Sequence, residues 1–303
     1  MKVLVIGATG ALGRPAVKLL RERGVSVRAL NRHPGQAADL AAVGAETVAG
    51  DLVDAASLRS ACAGVDRALV AAHGMMGRGR WRSEAVDDAG HRALFTIARD
   101  AGVERIVYVS AFGVGPDHPI DFFRTKHAVE AALAASGIAH VILRPTAFME
   151  HHVHRFNGQA VLAKGKAQLV GAGAKPRNFV CAADVAEIAV RALLQDPAPF
   201  DLLEIGGPGH YSNAEVAALY ARSAGIAPRA SHLPPAVARA MSVLMAPLHP
   251  GVARIMRLLA LPDDAFSERF DGAADLERRF AFKLTTVEDF VAARVGEARA
   301  ARR

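Results

Sequence analysis

A strand, a glycine turn and a helix open this chain in that order, and few folds begin this way. Lys2–Ile6 is an apolar, β-branched run, and Gly7-Ala8-Thr9-Gly10-Ala11-Leu12-Gly13 follows it directly, leading into a helical stretch over Ala11–Arg23. The G-x-x-G-x-x-G spacing gains meaning from that strand–loop–helix setting. Glycine permits the tight turn and lets the backbone approach a pyrophosphate closely. The helix N-terminus then turns free N–H groups and a partial positive charge toward the phosphates. Gly7, Thr9, Gly10, Leu12, Gly13 and Arg14 are therefore the candidate contacts of a bound dinucleotide.

The pattern continues beyond the first unit. Strands are expected at Ser26–Leu30, Glu46–Ala49, Arg67–Ala71, Arg105–Ser110 and His140–Leu143. Helices are expected between them, at Gln36–Ala42, Ala55–Cys62, Ser83–Ala101 and Asp121–Ser136. Strands alternating with helices of this length build βαβ units and a parallel sheet. The strands are almost wholly apolar, as a sheet covered on both faces requires. The predicted class is α/β, a doubly wound parallel sheet over residues 1–150, with a smaller α/β-to-helical lobe over 151–303 that partly returns to the sheet. In that lobe short strands are expected at Gln168–Val170, Asn178–Val180, Leu202–Ile205 and Ala230–Leu233, with helices at Ala183–Leu194 and Asn213–Ser223. Ser212 with Glu215, and Thr285 with Glu288, have the spacing of capping boxes. After Pro234 the chain reads as helical.

The residues after the second strand bear on which dinucleotide is held. An acid there would bind the ribose hydroxyls of NAD, whereas a cation suits the 2′-phosphate of NADP. The sequence is Leu30-Asn31-Arg32-His33, without an acid. Arg32 can grip a phosphate with two donors, and Arg14 stands ready to assist. NADP(H) is thus expected over NAD(H). Asp51 after the third strand has two readings: acceptor for the adenine amino group with Leu52 packed on the ring, or a turn residue capping the next helix. Ala71 ends the expected fourth strand and Ala72 and His73 follow it, at the sheet edge where open α/β folds bind ligands. Trp81 lies in a segment, Gly74–Arg82, whose three glycines and two methionines suggest a flap.

Composition closes off other classes. With 51% hydrophobic and 22% charged residues the chain is ordinary globular material rather than disordered. Two cysteines, Cys62 and Cys181, make no disulfide scaffold, and both sit in apolar contexts where they would be inert. The apolar runs are broken well before the length of about 18 residues that a membrane span needs. Met1–Gly7 is too short an apolar run for a signal peptide, so the cytoplasm is the expected compartment. The net charge of +7 is scattered apart from Arg78, Arg80 and Arg82 and a tail of Arg299, Arg302 and Arg303. With few aromatics interleaved, nucleic acid is not an expected partner.

The motifs GATGALGR, NR, GDL, YVSAFG, KHAVEAALAASGI, VILRPTAFME, NFVCAADVAEIAV and EIGGPG occur in that order over roughly residues 1–215. In this they resemble the atypical, NmrA-like branch of the short-chain dehydrogenase/reductase superfamily. The resemblance implies an extended Rossmann fold, NAD(P) along the strand C-termini and a small-molecule substrate between the sheet and the C-terminal lobe. It implies that Lys126 holds the nicotinamide ribose and that Ser110 polarises an acceptor. Phe122 stands where the superfamily carries its proton-donating tyrosine, four residues before Lys126. It further implies that Pro145 lies beside the cofactor, and that His73, Phe112, Phe122, Phe148 and Met149 border the substrate.

Two functions follow. One is an NADP(H)-dependent reductase acting on a small apolar carbonyl, enone or quinone-like acceptor. The other is a non-catalytic NADP(H)-binding sensor, regulator or assembly factor, favoured by the Phe122 substitution. A homodimer is compatible with either. His151, His152 and His154 invite a metal reading, but a zinc site normally converges three or four ligands, and none completes a set with them; no metal is expected. Asp184 is read as a structural residue orienting its helix.

Overall fold

The computed structural model describes residues 1–262, 265 and 267–301; Arg302 and Arg303 of the basic tail lie outside them. The strands are β1 (Lys2–Ile6), β2 (Ser26–Asn31), β3 (Glu46–Ala49), β4 (Arg67–Val70), β5 (Arg105–Val109), β6 (Ala139–Pro145), β7 (Ala147–Phe148), β8 (Ala167–Val170), β9 (Phe179–Val180), β10 (Leu202–Ile205) and β11 (Ala230–Leu233). The helices are α1 (Gly13–Glu22), α2 (Ala38–Ala42), α3 (Ala55–Cys62), α4 (His91–Asp100), α5 (Asp121–Ala134), α6 (Gln159–Lys164), α7 (Ala182–Leu194), α8 (Asn213–Ala224), α9 (Pro235–Met245), α10 (Pro250–Leu259), α11 (Ala273–Phe280) and α12 (Val287–Ala300).

Seven strands form one sheet in the order β10-β6-β5-β4-β1-β2-β3. Its first six strands in sequence pair in parallel. Ile142 N donates to Asp201 O and Thr146 N to Ile205 O, so β10 advances in step with β6 and is parallel too. This is the doubly wound Rossmann arrangement expected from the sequence. Its order reverses direction between β1 and β4, where ligands bind beyond the strand C-termini. Leu4, Ile6, Ala68, Val70, Ile106 and Tyr108 face a core completed by Leu58, Leu94, Phe95, Val129 and Leu133 of α3, α4 and α5. The alternating residues Val3 and Val5 are equally buried on the other face, where α1 packs. Covering both faces is what makes these strands uniformly apolar.

The chain divides into two compact units: residues 1–144, 185–204 and 249–251, and residues 145–184, 205–248 and 252–303. The second unit has its own core, with Met149, Val153, Phe179, Val216, Tyr220, Phe290 and Val291. Ser212 caps α8 in a full capping box with Glu215. The last helix starts one residue later than the sequence spacing indicated. Thr286, not Thr285, accepts from Asp289 N, while Thr285 donates its N–H and hydroxyl to Asp184, at 2.7 and 3.1 Å. Asp184 therefore ties the start of α7 to the entry of α12, a structural role. The helix expected at 83–101 is also different in kind. Glu84–Gly90 is π-helical and only His91–Asp100 is α-helical. A second π-helical run, Glu150–Gly158, precedes α6 and carries the three histidines. Among the described residues, no helix is long and apolar enough to cross a membrane.

Candidate functional site

The glycine loop is shaped by contact with the end of β4. Gly7 has φ +85°, and a Cβ on it would lie 2.8 Å from Ala72 N and 2.9 Å from the Ala71 carbonyl carbon. A Cβ on Gly13 would strike the Gly7 carbonyl oxygen and sit 2.7 Å from Ala8 Cα. Gly10 N donates to Gly7 O at 2.9 Å and closes the turn. Neither Gly7 nor Gly13 has room for a side chain, so the backbone itself forms the floor at the β1–β4 switch point. No acid stands in the first turn of α1, leaving its N-terminus electropositive toward an anion. Thr9 is half-buried and Leu12 is buried.

Two buried polar side chains near the strand ends have no hydrogen-bond partner among the described residues: the Asn31 amide at the end of β2 and the Ser110 hydroxyl just past β5. Buried polar groups are normally satisfied, so unused donors and acceptors here suit a polar ligand. With the glycine cradle they fit a dinucleotide. Arg32 is exposed beyond β2, its guanidinium carbon 5.7 Å from the Trp81 ring centre. Arg14 is committed elsewhere. It donates to Thr9 O at 3.1 Å and to Gln36 O at 3.0 Å, and it pairs with Asp39. It therefore braces the glycine loop against the segment after β2, which its sequence position alone does not reveal. Asp51 does not cap α3, because Asp54 does so through Ala56 N. Asp51 accepts instead from Val53 N at 3.3 Å and from Trp81 Nε1 at 2.6 Å.

Lys126 is almost fully buried on α5, and its ammonium donates to Val109 O at 3.1 Å, one residue before Ser110. The same nitrogen lies 4.6 Å from the Tyr108 ring centre and 5.8 Å from that of Phe122. Burial pushes its pKa down to about 8, against the opposing pull of Asp87 and Glu130. Phe122 meets the His73 ring edge-on at 6.0 Å, so these two expected site residues do come together. Phe112 is half-buried. Pro145, Phe148 and Met149 belong to the second unit, where Met149 is fully buried in the core and Phe148 pairs with Val180.

The sequence reading missed the polar cluster around Lys126. Asp87 is wholly buried in the π-helical turn and accepts from Gly74 N at 2.9 Å and the Ser83 hydroxyl at 2.6 Å. His91 is also wholly buried, and its Nδ1–H donates to Val86 O at 2.8 Å. Burial, then the nearby Lys126 charge, push the His91 pKa down to about 4. Burial raises that of Tyr108, whose hydroxyl has no partner among the described residues. A signal for this cluster existed. Asp87, His91, Leu94, Phe95 and Ala98 recur at i, i+4, i+7, i+8 and i+11, which puts two polar residues on an apolar helical stripe.

The histidine run does not gather ligands. His154 Nδ1 meets the Tyr220 hydroxyl at 3.0 Å, and the His152 ring packs against Phe156. Glu150 accepts from Ala182 N at 3.1 Å. Among the described residues no group of three or more His, Cys, Asp or Glu is arranged to hold a metal ion. Cys62 and Cys181 are buried, and burial raises both thiols to about 11, away from reactivity.

A family profile of NAD(P)H-binding proteins matches residues 7–196. The chain is 32% identical over 224 residues to the NAD(P)H azoreductase of Xenophilus azovorans, covering 74% of each protein. It is 27% identical over 246 residues to the photosystem II assembly factor Ycf39 of Synechocystis, covering 80% of this chain and 73% of that one. In structure it is similar to the NADPH-dependent quinone oxidoreductase of Escherichia coli complexed with NADPH, with a TM-score of 0.75 and 26% identity over 97% of this chain and 99% of the other. With its β1–β4 glycine cradle and Rossmann strand order, the chain belongs to the NAD(P)H-binding family, among the atypical, NmrA-like short-chain dehydrogenases/reductases.

Proposed function

We propose that the protein is an NADP(H)-dependent oxidoreductase whose acceptor is a small apolar carbonyl, enone or quinone-like molecule. The observation that carries this reading is Lys126, buried with a pKa lowered to about 8, on the Val109 carbonyl next to the unpartnered Ser110 hydroxyl. A lysine so poised can give or take a proton near neutral pH. Ser110 would donate to the oxygen of the acceptor. The nicotinamide, when bound, supplies hydride chemistry. Gly7, Thr9, Gly10, Leu12 and Gly13 would hold the pyrophosphate, with Ala71 and Ala72 beside them. Arg32 would take the 2′-phosphate, which is the basis for NADP(H) over NAD(H). Phe122 and His73, which meet edge-on, would wall the acceptor together with Phe112. The azoreductase and quinone oxidoreductase relatives support reduction of a small molecule. In this reading residues 1–150 bind cofactor and 151–303 select substrate, the setting is the cytoplasm, and a homodimer is compatible.

A second reading is supported by one specific observation. Phe122 supplies no hydroxyl where the superfamily's tyrosine stands, and the Ycf39 relative is named as an assembly factor. The protein would then bind NADP(H) without turnover. A screen of quinones and enones with NADPH, run beside Lys126→Ala, separates the two. Turnover by the native protein that falls at least a hundredfold in the variant supports the reductase. NADPH binding by the native protein, with no turnover by either, supports the second reading.

A further inference from the structure

Beyond the C-terminal ends of β2, β3 and β4, four side chains form a group that the hydride chemistry does not use. Trp81, the single tryptophan of the chain, is 37% exposed, and its Nε1–H donates to Asp51 Oδ2 at 2.6 Å. The Arg80 guanidinium carbon lies 5.1 Å and that of Arg32 5.7 Å from the indole centre. Arg80 also approaches Asp51 Oδ2 to 3.8 Å. The other Asp51 oxygen accepts from Val53 N, and the Ser57 hydroxyl fixes the Asp51 backbone. Asp51 is thus a rigid acceptor with both oxygens in use. The chemistry assembled is a carboxylate against the N–H edge of a planar aromatic ring, flanked by two guanidiniums. The same carboxylate would take the amino edge of a purine, and the same cations would take a phosphate carried on its ribose.

We propose that the Trp81 indole holds the place of the adenine ring, and that the adenosine 2′-phosphate end of the nucleotide binds by displacing it from Asp51. Arg80, freed with the indole, then joins Arg32 at the phosphate. This rests on the reading that the chain binds NADP(H), and it makes Trp81 and Arg80 determinants of nucleotide affinity. Because Nε1–H and the purine amino group compete for one oxygen, removing the indole donor tightens binding. The Phe variant keeps a ring and loses the N–H. The gain expected is about tenfold, the size of one hydrogen bond to a charged group.

The probe is adenosine 2′,5′-bisphosphate, which carries adenine and the 2′-phosphate and no nicotinamide. Trp81 is the sole indole emitter, so fluorescence reports its position in the native chain without mutation. The expected result has two parts: a saturable red shift of native emission, and binding by Trp81→Phe about tenfold tighter in calorimetry. Arg80→Ala should lose about tenfold for the bisphosphate and keep its affinity for adenosine 5′-monophosphate. Calorimetric binding with unchanged emission overturns the inference and leaves the cofactor reading intact. A red shift with equal or weaker binding by Trp81→Phe also overturns it, because the indole would then stack on the base. An Arg80→Ala loss that is equal for both nucleotides removes Arg80 from the phosphate. Absence of binding by the native chain and by Trp81→Phe overturns the cofactor reading and this inference together.

Discussion

The ammonium of Lys126 lies 4.6 Å from the centre of the Tyr108 ring and donates to the carbonyl of the next residue, Val109, at 3.1 Å. The strand that supplies Tyr108 to the core thus also holds the lysine at the site's edge. Asp87 and Glu130 partly offset the burial of the charge. Replacing Lys126 with Met removes the ammonium while keeping similar bulk. Loss of the desolvation cost is set against loss of attraction to the two carboxylates, so stability should move by about 2 kcal/mol or less. Turnover should fall by about two to three orders of magnitude, with NADPH still bound. Steady-state kinetics and a urea titration of the same variant check both halves.

Asp87 anchors the segment after β4. Its carboxylate takes the Gly74 N–H and the Ser83 hydroxyl in a fully buried setting. Asp87→Ala leaves both donors without that partner, at about 1–3 kcal/mol for each buried unsatisfied group. The expected loss is about 2–6 kcal/mol, read from the urea midpoint. A change below about 1 kcal/mol would mean that water reaches this pocket freely.

Two glycine substitutions differ for a geometric reason. Gly24 has φ +73° with nothing within 4 Å of an added Cβ, so Gly24→Ala should cost only the left-handed backbone penalty of about 1–2 kcal/mol. At Gly13 the added Cβ would meet the Gly7 carbonyl and Ala8 backbone. Backbone cannot rotate away as a side chain can, so Gly13→Ala should either fail to fold or lose nucleotide binding altogether. Thermal melts and NADPH titration of the pair test the contrast.

Acid should destabilise the protein through His91. Its native pKa of about 4 lies below the ordinary histidine value of 6.5 because burial disfavours the imidazolium. The unfolded chain takes up the proton first as pH falls. The contribution is therefore complete above about pH 6.5 and lost progressively toward pH 4, to the extent of about 3 kcal/mol. Urea midpoints across pH 4–7 should show this slope, and His91→Gln should flatten it. An unchanged slope in the variant would assign the acid sensitivity to other groups.

The frame of the site is legible from local sequence because its determinants are local. The Gly7–Gly13 spacing, the apolar strands and the Lys126 helix are each set by residues adjacent in the chain. What escapes is what depends on segments meeting across it. Trp81 reaches Asp51 thirty residues away, and Arg14 spends its charge on Asp39. Periodicity places Asp87 and His91 on the apolar stripe of 83–101 but reads the whole stretch as a plain α-helix, so the π-helical form of Glu84–Gly90 escapes it. The capping slip from Thr285 to Thr286 has a similar origin, since Asp184, far away in sequence, claims Thr285.

The most direct measurement is calorimetric titration of the purified protein with NADPH and, separately, with NADH. A live site read by Arg32 should bind NADPH at least tenfold more tightly, a difference of about 1.4 kcal/mol, and Arg32→Ala should erase most of that margin. Equal affinities would remove Arg32 from the 2′-phosphate. Binding of neither nucleotide would contradict the central claim, leaving the glycine cradle as an element of fold alone.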